Sequence, residues 1–336
     1  MRILVTGGAG FIGSNFIHFL LKERPDWQIV NFDKLTYAGN LANLEDIEDN
    51  TGYNLIKGDI CDPTDVARTF EFKFDYVVNF AAESHVDRSL YDPGIFLKTN
   101  ILGTQVLLEH SLKSGVKRFL QVSTDEVYGS LGDDGYFSED NPMAPNSPYA
   151  ASKASADLMC RAFYKSFGMP VLVTRAGNNY GPYQFPEKLI PFFLTKALND
   201  EPVPLYGDGL NVRDWLYVQD HCEGILTVLE KGKEGECYNI GGGNERTNIE
   251  ITKKILEIIG KPESLIKLVK DRPGHDRRYA LDYGKIKNEL GWEPRMDFAK
   301  GLAATIDWYR SNEKWWQDIK SGDYLKFYEL HYKERR

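Results

Sequence analysis

The stretch RILVTGGAGFIGS, Arg2 to Ser14, decides how this chain folds. A β-branched, apolar run passes through a cluster of glycines into a segment, SNFIHFLLKER, with helical spacing of apolar residues. Gly8, Gly10 and Gly13 satisfy G-x-G-x-x-G, and Gly7, Gly10 and Gly13 satisfy the wider G-x-x-G-x-x-G. Glycines at such a junction allow a tight turn and let the backbone approach a pyrophosphate, which then sits at the positive end of the helix. A glycine turn with no ligand uses the same residues, so the context must separate the two. Asp33 falls 20 residues after Gly13, at the end of the next strand-like run, WQIVNF. A carboxylate there accepts the ribose hydroxyls and repels a 2′-phosphate, which favours NAD over NADP. Asp59, ending a third run, YNLIKGD, suits either an adenine amino group or a capping role in CDPTD.

Strand-like and helix-like segments alternate through the first half. FDYVVNFAA, RFLQVS and MPVLVTRAG continue the strands, and TDVARTFE, FLKTNILGTQVLLEHSLKSG and YAASKASADLMCRAFYKSFG read as helices between them. This rhythm predicts a Rossmann-type, doubly wound parallel sheet covered on both faces, an α/β fold with ligands at the carboxyl ends of its strands. After residue 176 the rhythm changes. NNYGPYQFPEKLIPFF and EPVPLYGDGLNVRDW are rich in glycine, proline and aromatics and read as ordered loops. Clear helices follow at NIEITKKILEIIG and FAKGLAATIDWYRSN. We therefore expect a dinucleotide-binding domain over 1–176 and a smaller, mixed α/β domain over 177–336 that crosses back to the sheet. The aromatic end, WWQDIKSGDYLKFYELHYKERR, is too apolar for a loose tail and is expected to pack on the body.

Bulk properties narrow the function classes. The chain has 336 residues, 27% charged and 42% apolar, with a net charge of −8, which gives no support to a nucleic-acid surface. Met1 and Arg2 lead directly into the first strand, leaving no room for a signal peptide, and no apolar run approaches a membrane span. Cys61, Cys160, Cys222 and Cys237 lie far apart with no C-x-x-C pair. A disulfide framework or metal site is not expected, and a cytoplasmic location is.

Two further motifs carry chemistry. RFLQVS ends in Thr124, followed at once by Asp125 and Glu126. Charges at the end of a buried strand cost free energy unless paired or used, although a solvated turn is the ordinary reading of adjacent acids. SPYAASKAS places Tyr149 and Lys153 four apart, on one face of a helix. A phenol has a pKa near ~10, and a lysine charge and a positive nicotinamide ring both stabilise its phenolate. Alone the pair reads as polar helix surface; together with the glycine loop and Thr124 it points to hydride chemistry on an alcohol.

With these residues in place the chain resembles the extended short-chain dehydrogenase/reductase superfamily over essentially its whole length. Within it, STDEVYG, AAESHVDRS, NNYGPYQFPEKLIP, YGDGLNVRDWLYV and DRPGHDRRYALD resemble the dTDP-glucose 4,6-dehydratases. Ala176, Gly177 and Gln219 depart from residues common in that family and touch no implied catalytic group. The resemblance implies a three-step reaction with NAD recycled: oxidation at C4, loss of water across C5 and C6, and return of hydride to C6. It gives Tyr149 and Lys153 the 4-hydroxyl proton, Glu126 the C5 proton, Asp125 the protonation of the leaving hydroxyl, and Thr124 a hydrogen bond at O4. Acid and base must hold opposite protonation states, so their surroundings must separate their pKa values.

The resemblance also carries over binding positions. Toward NAD they are Gly7, Gly10, Phe11, Ile12, Gly13, Asp33, Lys34, Leu35, Thr36, Asp59, Ile60, Ala81, Ala82, Ser84, Thr99, Tyr149, Lys153 and Asn179. Toward the nucleotide sugar they are Ser84, Asp87, Thr124, Asn178, Lys188, Leu189, Pro204, Leu205, Tyr206, Arg213, Asn248, Arg272, His275 and Tyr279. Arg213 and Arg272 suit charge-assisted phosphate contacts or surface ion pairs with Asp214 and Asp271, and Asn248 suits a phosphate contact or a helix cap. Tyr206 could stack on the base, while His275 and Tyr279 also suit a satisfied loop histidine and a packed tyrosine. NIGGGNERTN reads as a glycine-rich turn rather than a second dinucleotide site. The resemblance further implies a homodimer in which FLKTNILGTQVLLEH and YAASKASADLMCRAFY form a four-helix bundle; burial within one subunit is the alternative. Three rivals stand beside this reading: a nucleotide-sugar 4-epimerase, which needs no acid and base at C5 and C6, a dehydratase of UDP- or GDP-hexoses, and a non-catalytic NAD-responsive binding protein.

Overall fold

The first strand, β1 (Arg2–Thr6), lies inside a seven-stranded, wholly parallel sheet. The structure, a computed structural model, describes residues 1–271 and 274–320. From β1 the chain passes through α1 (Phe11–Glu23) to β2 (Gln28–Asp33) and β3 (Tyr53–Lys57), then by α2 (Pro63–Phe70) to β4 (Tyr76–Asn79). After β4 come α3 (Val86–Tyr91), α4 (Pro93–Phe96), a π-helical turn Leu97–Gly103 and α5 (Thr104–Ser114). β5 (Arg118–Thr124), α6 (Pro148–Phe167) and β6 (Val171–Ala176) follow. The expected strands of the first half all form.

β7 (Asn178–Tyr180), α7 (Leu189–Leu198), β8 (Val203–Tyr206) and β9 (Val212–Tyr217) open the second half. Then come α8 (Val218–Lys231), β10 (Cys237–Ile240), β11 (Glu245–Thr247), α9 (Asn248–Ile259) and β12 (Ile266–Val269). The described chain closes with α10 (Gly284–Leu290), α11 (Phe298–Ser311) and α12 (Glu313–Lys320). The large sheet runs β10-β6-β5-β4-β1-β2-β3, and two small sheets, β11-β9-β7 and β12-β8, belong to the second half.

Because β1 is flanked by β2 and β4, the chain winds outward in both directions and leaves a crevice where the loops after β1 and β4 part. Both faces of the sheet are covered, so neighbouring apolar residues diverge. Ile3 and Val5 pack with α1 and α8 residues such as Phe16 and Ile225, and Leu4 packs with Val66, Leu107 and Cys160 on the other face. A third core, with Tyr180, Trp215, Ile255 and Leu302, unites α7, α9 and α11.

Two differences from the sequence reading have local causes. EPVPLYGDGLNVRDW contains two strands, β8 and β9, because Val203 and Leu205 alternate inward between Pro204 and Tyr206 and find a parallel partner in β12. The long helix expected at FLKTNILGTQVLLEHSLKSG is interrupted by the π-helical turn. There buried Asn100 donates to Glu83 O (2.9 Å) and Ser152 Oγ (2.8 Å), and a Cβ on Gly103 would come within 2.5 Å of Ile60. Four residues of the second half, β10, pair with β6 and complete the edge of the large sheet. At the carboxyl end, Trp315 donates to Asn43 Oδ1 (2.9 Å) and Trp316 to Tyr309 O (3.0 Å), so the aromatic segment packs as far as it is described. Residues 321–336 lie outside the described residues, and no described helix is long and apolar enough to cross a membrane.

Candidate active site

The glycine loop forms the floor of a cavity of about 340 Å³ at the crevice. Each glycine has its own reason. Gly7 has φ +68°, and a Cβ there would stand 2.7 Å from Ala81 N; a Cβ on Gly13 would stand 2.3 Å from Gly7 O. Gly10 differs: its Cβ would meet only Gly7 O, at 3.3 Å, so its open side faces the cavity. The first turn of α1 carries no acidic residue and no side-chain cap, which leaves its N–H groups and positive dipole end available to an anion. These features fit a dinucleotide pyrophosphate.

Asp33 closes the loop as well as facing the cavity. Its Oδ2 accepts from Ala9 N (2.9 Å) and its Oδ1 from Leu35 N (2.7 Å), and burial pushes its pKa up against those two donors. Each oxygen keeps a second lone pair for a ribose hydroxyl. Lys34 Nζ lies 2.8 Å from Asp59 Oδ2, so its charge is already matched by a carboxylate. Asp59 also accepts from Cys61 N (2.9 Å), while the cap of α2 is Asp62, which accepts from Thr64 N. The remaining wall holds Phe11, Ile12, Thr36, Ala81, Ala82, Ser84 and Asn179. Leu35, Asp59, Ile60 and Thr99 line neither this cavity nor its neighbour.

Thr124, Asp125, Glu126, Tyr149 and Lys153 meet at one end of the same cavity. The strand ends at Thr124, whose Oγ1 accepts from Glu126 N (3.3 Å) and so caps the 3-10 turn Asp125–Tyr128 that carries the two acids. Thr124 Oγ1 also donates to Asp125 Oδ1 (3.2 Å). Asp125 is 2% exposed and its Oδ2 has no partner. Burial, then the charges of Glu126 and Asp214, push Asp125 well above the ordinary carboxylate range. Glu126 is half-buried. Burial thus raises Asp125 in the direction that a general acid requires.

Lys153 Nζ donates to Val122 O (2.6 Å), and burial pulls its pKa down to about 8. Burial and the charge of Glu126 push Tyr149 up, while the nearby Thr124 hydroxyl opposes them.

A second cavity, of about 150 Å³, adjoins the first at Glu126, Asn178, Lys188 and Leu189. Its walls include Asp87, Pro204, Tyr206, Arg213, Asn248, His275 and Tyr279. Tyr206 donates to Asp87 Oδ2 (3.2 Å) and meets the edge of His275, whose Nδ1 is 2.6 Å from Asp271 Oδ1. Arg213 lies over the Tyr279 ring at 4.4 Å and donates to Asp276 O (2.9 Å). Asn248 stands one residue inside a helix capped by Thr247 and Glu250, and its buried Oδ1 has no partner. Asp214 accepts from Gly242 N (2.8 Å) and Asn244 N (2.9 Å) and so shapes the NIGGGNERTN turn. Leu205 faces the core instead, and Arg272 lies outside the described residues. Among the described residues no three His, Cys, Asp or Glu side chains are grouped to hold a metal ion.

Two buried groups in these walls escaped the sequence reading. Glu187 borders both cavities; it accepts from Tyr37 Oη (3.3 Å), and burial raises its pKa to about 7. His221 donates from Nδ1 to Asn179 Oδ1 (2.9 Å), and burial holds it neutral with a pKa of about 3, its Nε2 without a partner beside the first cavity. His221 sits in no quoted motif, and nothing in NNYGPYQFPEKLIP marks Glu187 as buried; the folding of the second half onto the sheet brings both in.

Comparison with known proteins bears on this geometry. A sequence model of the family described as GDP-mannose 4,6 dehydratase matches residues 4–305. The dTDP-glucose 4,6-dehydratase of Xanthomonas campestris pv. campestris (strain B100) is 54% identical over 340 residues, covering 96% of each chain. DesIV, a dTDP-glucose 4,6-dehydratase from Streptomyces venezuelae solved with NAD and TYD bound, superposes with a TM-score of 0.93 at 52% identity, over 95% of this chain and 100% of that one. A UDP-glucose 4-epimerase of Thermus thermophilus, in complex with NAD, superposes with a TM-score of 0.86 at 34% identity, over 93% and 100%. The likeness to dehydratases spans both halves of the chain, and the chain belongs to the dTDP-glucose 4,6-dehydratase family.

Proposed function

We propose that this chain is an NAD-dependent lyase that converts dTDP-glucose to dTDP-4-keto-6-deoxyglucose. The observation that carries this reading is the meeting of Thr124, Asp125, Glu126, Tyr149 and Lys153 in one cavity, with Asp125 raised by burial. An epimerase needs no such pair. Residues 1–176 hold the dinucleotide and 177–336 mainly the nucleotide sugar, with β10 returning to the sheet.

The glycine loop and Asp33 would hold NAD, which would supply a two-electron sink for the hydride removed from C4 and returned at C6. The protein's own groups move the protons. Lys153 places positive charge beside Tyr149, which takes the 4-hydroxyl proton while Thr124 orients O4. The resulting ketone acidifies the C5–H bond, and Glu126 takes that proton. Asp125, kept protonated by burial, gives its proton to the departing 6-hydroxyl, which leaves as water. Glu126 then returns its proton to C5. Arg213 and Lys188 face the second cavity, where cations suit a sugar diphosphate, and Tyr206 suits the thymine ring.

Incubation with dTDP-glucose in deuterated water tests the reading. Loss of one water, solvent deuterium at C5 and no net change in free cofactor are expected by mass spectrometry and NMR. Appearance of a galactose configuration at unchanged mass, or turnover only with UDP- or GDP-hexoses, would replace it. Complete inertness with all three would leave a binding protein.

The enzyme acts as a homodimer through α5, α6 and the π-helical turn between α4 and α5. Leu97, Leu102, Leu158 and Phe167 stand about half exposed there, at 52%, 46%, 51% and 59%, apolar surface that a partner subunit would cover. Leu158→Glu is expected to shift the chain to a monomer in sedimentation, since burying such a side chain contributes about 2 kcal/mol per copy. A wild-type chain that sediments as a monomer would remove the proposal. All four cysteines are free thiols, which supports a reducing, cytoplasmic setting.

A further inference from the structure

We infer that Tyr128 and Arg175 position the acids Asp125 and Glu126 against the helix that carries Tyr149 and Lys153. The inference rests on the proposed dehydratase reading, in which both pairs of side chains must meet one sugar ring. Thr124 is still held by the sheet, since it is the last residue of β5 to pair with β6, opposite Ala176. Asp125 and Glu126 lie beyond that ladder, in the 3-10 turn Asp125–Tyr128. There Gly129 N donates to Glu126 O (3.2 Å) and Ala144 N to Val127 O (3.0 Å). Those bonds shape the turn and join it to the loop that follows, but they do not tie it to α6.

Tyr128, the last residue of the turn, supplies that tie. Its phenol oxygen accepts from Arg175 Nη1 (2.9 Å) and donates to Asn239 Oδ1 (2.8 Å). The direction is fixed, because a guanidinium only donates. Arg175 lies on β6, and its Nε donates to Asp157 Oδ2 (2.9 Å). Asp157 stands one helical turn beyond Lys153 in α6, as Lys153 stands one turn beyond Tyr149, so the three share a face. The acid-bearing turn and the Tyr–Lys helix are thus joined through one guanidinium, whose planar fork fixes the spacing of its two bonds. Asn239, on β10, anchors the same hydroxyl to the edge of the sheet, and its Nδ2 donates to Phe137 O (2.9 Å). All four side chains are buried. A buried ion pair is a poor source of stability, because desolvation offsets its attraction. What this one supplies is geometry: Asp125 and Glu126 must stand over C6 and C5 of a ring whose C4 is held by Tyr149.

Tyr128→Phe removes the hydroxyl and keeps the ring against Phe137, stacked at 4.9 Å, and against the Arg175 guanidinium at 4.8 Å. The Arg175–Asp157 pair and the β5–β6 ladder remain, so Tyr149, Lys153 and Thr124 should stay in place and C4 oxidation should keep its rate. Elimination of water should slow by ~10²-fold, the scale on which a displacement of about 1 Å acts. Mixed with dTDP-glucose, the variant should accumulate its bound cofactor in the reduced form. Deuterium at C5 of the substrate should slow its turnover further, by a primary isotope effect larger than in the wild type. Asn239→Ala, which takes the acceptor from the same hydroxyl, should give the same pattern in weaker form. Near-ultraviolet circular dichroism shows which variants are folded. A folded Tyr128→Phe that slows oxidation and elimination equally, or slows neither, would overturn the positioning role while leaving the dehydratase reading intact. Failure of both variants to fold would make these bonds part of the core alone and overturn it too. A wild-type protein inert toward dTDP-glucose would instead overturn the reading itself.

Discussion

Glu126→Gln is expected to lower turnover by about 10²–10⁴-fold, the range over which a positioned general base accelerates proton transfer. The amide matches the carboxylate in size but cannot accept the C5 proton. Oxidation at C4 depends on Tyr149, Lys153 and Thr124 and does not need Glu126, so the reaction should stall after its first step. The bound cofactor is then caught in its reduced form, visible by its near-ultraviolet absorption, and no deuterium enters C5. Glu126 is half-buried, so the substitution should leave the fold intact. Full turnover of the variant, or its failure to reduce the cofactor at all, would give the base role to another group.

Lys153→Met is expected to abolish activity and to stabilise the cofactor-free chain at pH 7 by about 2 kcal/mol. Burial lowers the folded-state pKa of Lys153 to about 8 from an ordinary 10.5. Below pH ~8 the lysine is charged in both states, and the folded state bears the whole desolvation cost, about 3 kcal/mol for a displacement of that size. Between about 8 and 10.5 the unfolded chain binds more protons than the folded one, so stability contributed at this site rises with pH, and above that window the cost is gone. Methionine removes the cost but leaves the Val122 carbonyl without its donor, which subtracts ~1 kcal/mol. Denaturant unfolding at pH 7 and pH 10 checks the sign: the advantage of the variant should shrink at the higher pH. An equally or less stable variant at pH 7 would contradict it. In the wild type the same ionisation should make activity fall as pH rises through about 8, because the phenolate of Tyr149 loses its positive neighbour. A buried lysine that costs stability is the kind of exchange expected where function and folding compete.

Much of this site was legible because its chemistry is written in short, local motifs. The turn between β1 and α1 needs glycines at fixed offsets, since Gly7 takes a positive φ and Gly13 passes close to Gly7 O. Tyr149 and Lys153 share a helix face through their spacing alone. Thr124, Asp125 and Glu126 follow a strand whose apolar run marks its end. Less was legible where a residue's part depends on a distant partner. Asp33 could be placed at the end of β2, but its clamp on Ala9 N and Leu35 N depends on how the glycine loop folds back over it. Likewise Lys34 pairs its charge with Asp59, distant in the chain and adjacent only because β3 lies beside β2 in the sheet.

By itself, then, the sequence determined the parallel sheet of the first half, the glycine turn into α1 and the positions of the five side chains proposed to react, since period, turn chemistry and helix spacing act over fewer than about ten residues. Tertiary structure alone decided that β10 would finish the sheet, that Glu187 and His221 would be buried beside the cavities, and that Asp125 rather than Glu126 would be the more deeply enclosed acid. Those outcomes depend on desolvation and long-range pairing, which are properties of the packed chain and are absent from any one segment of it.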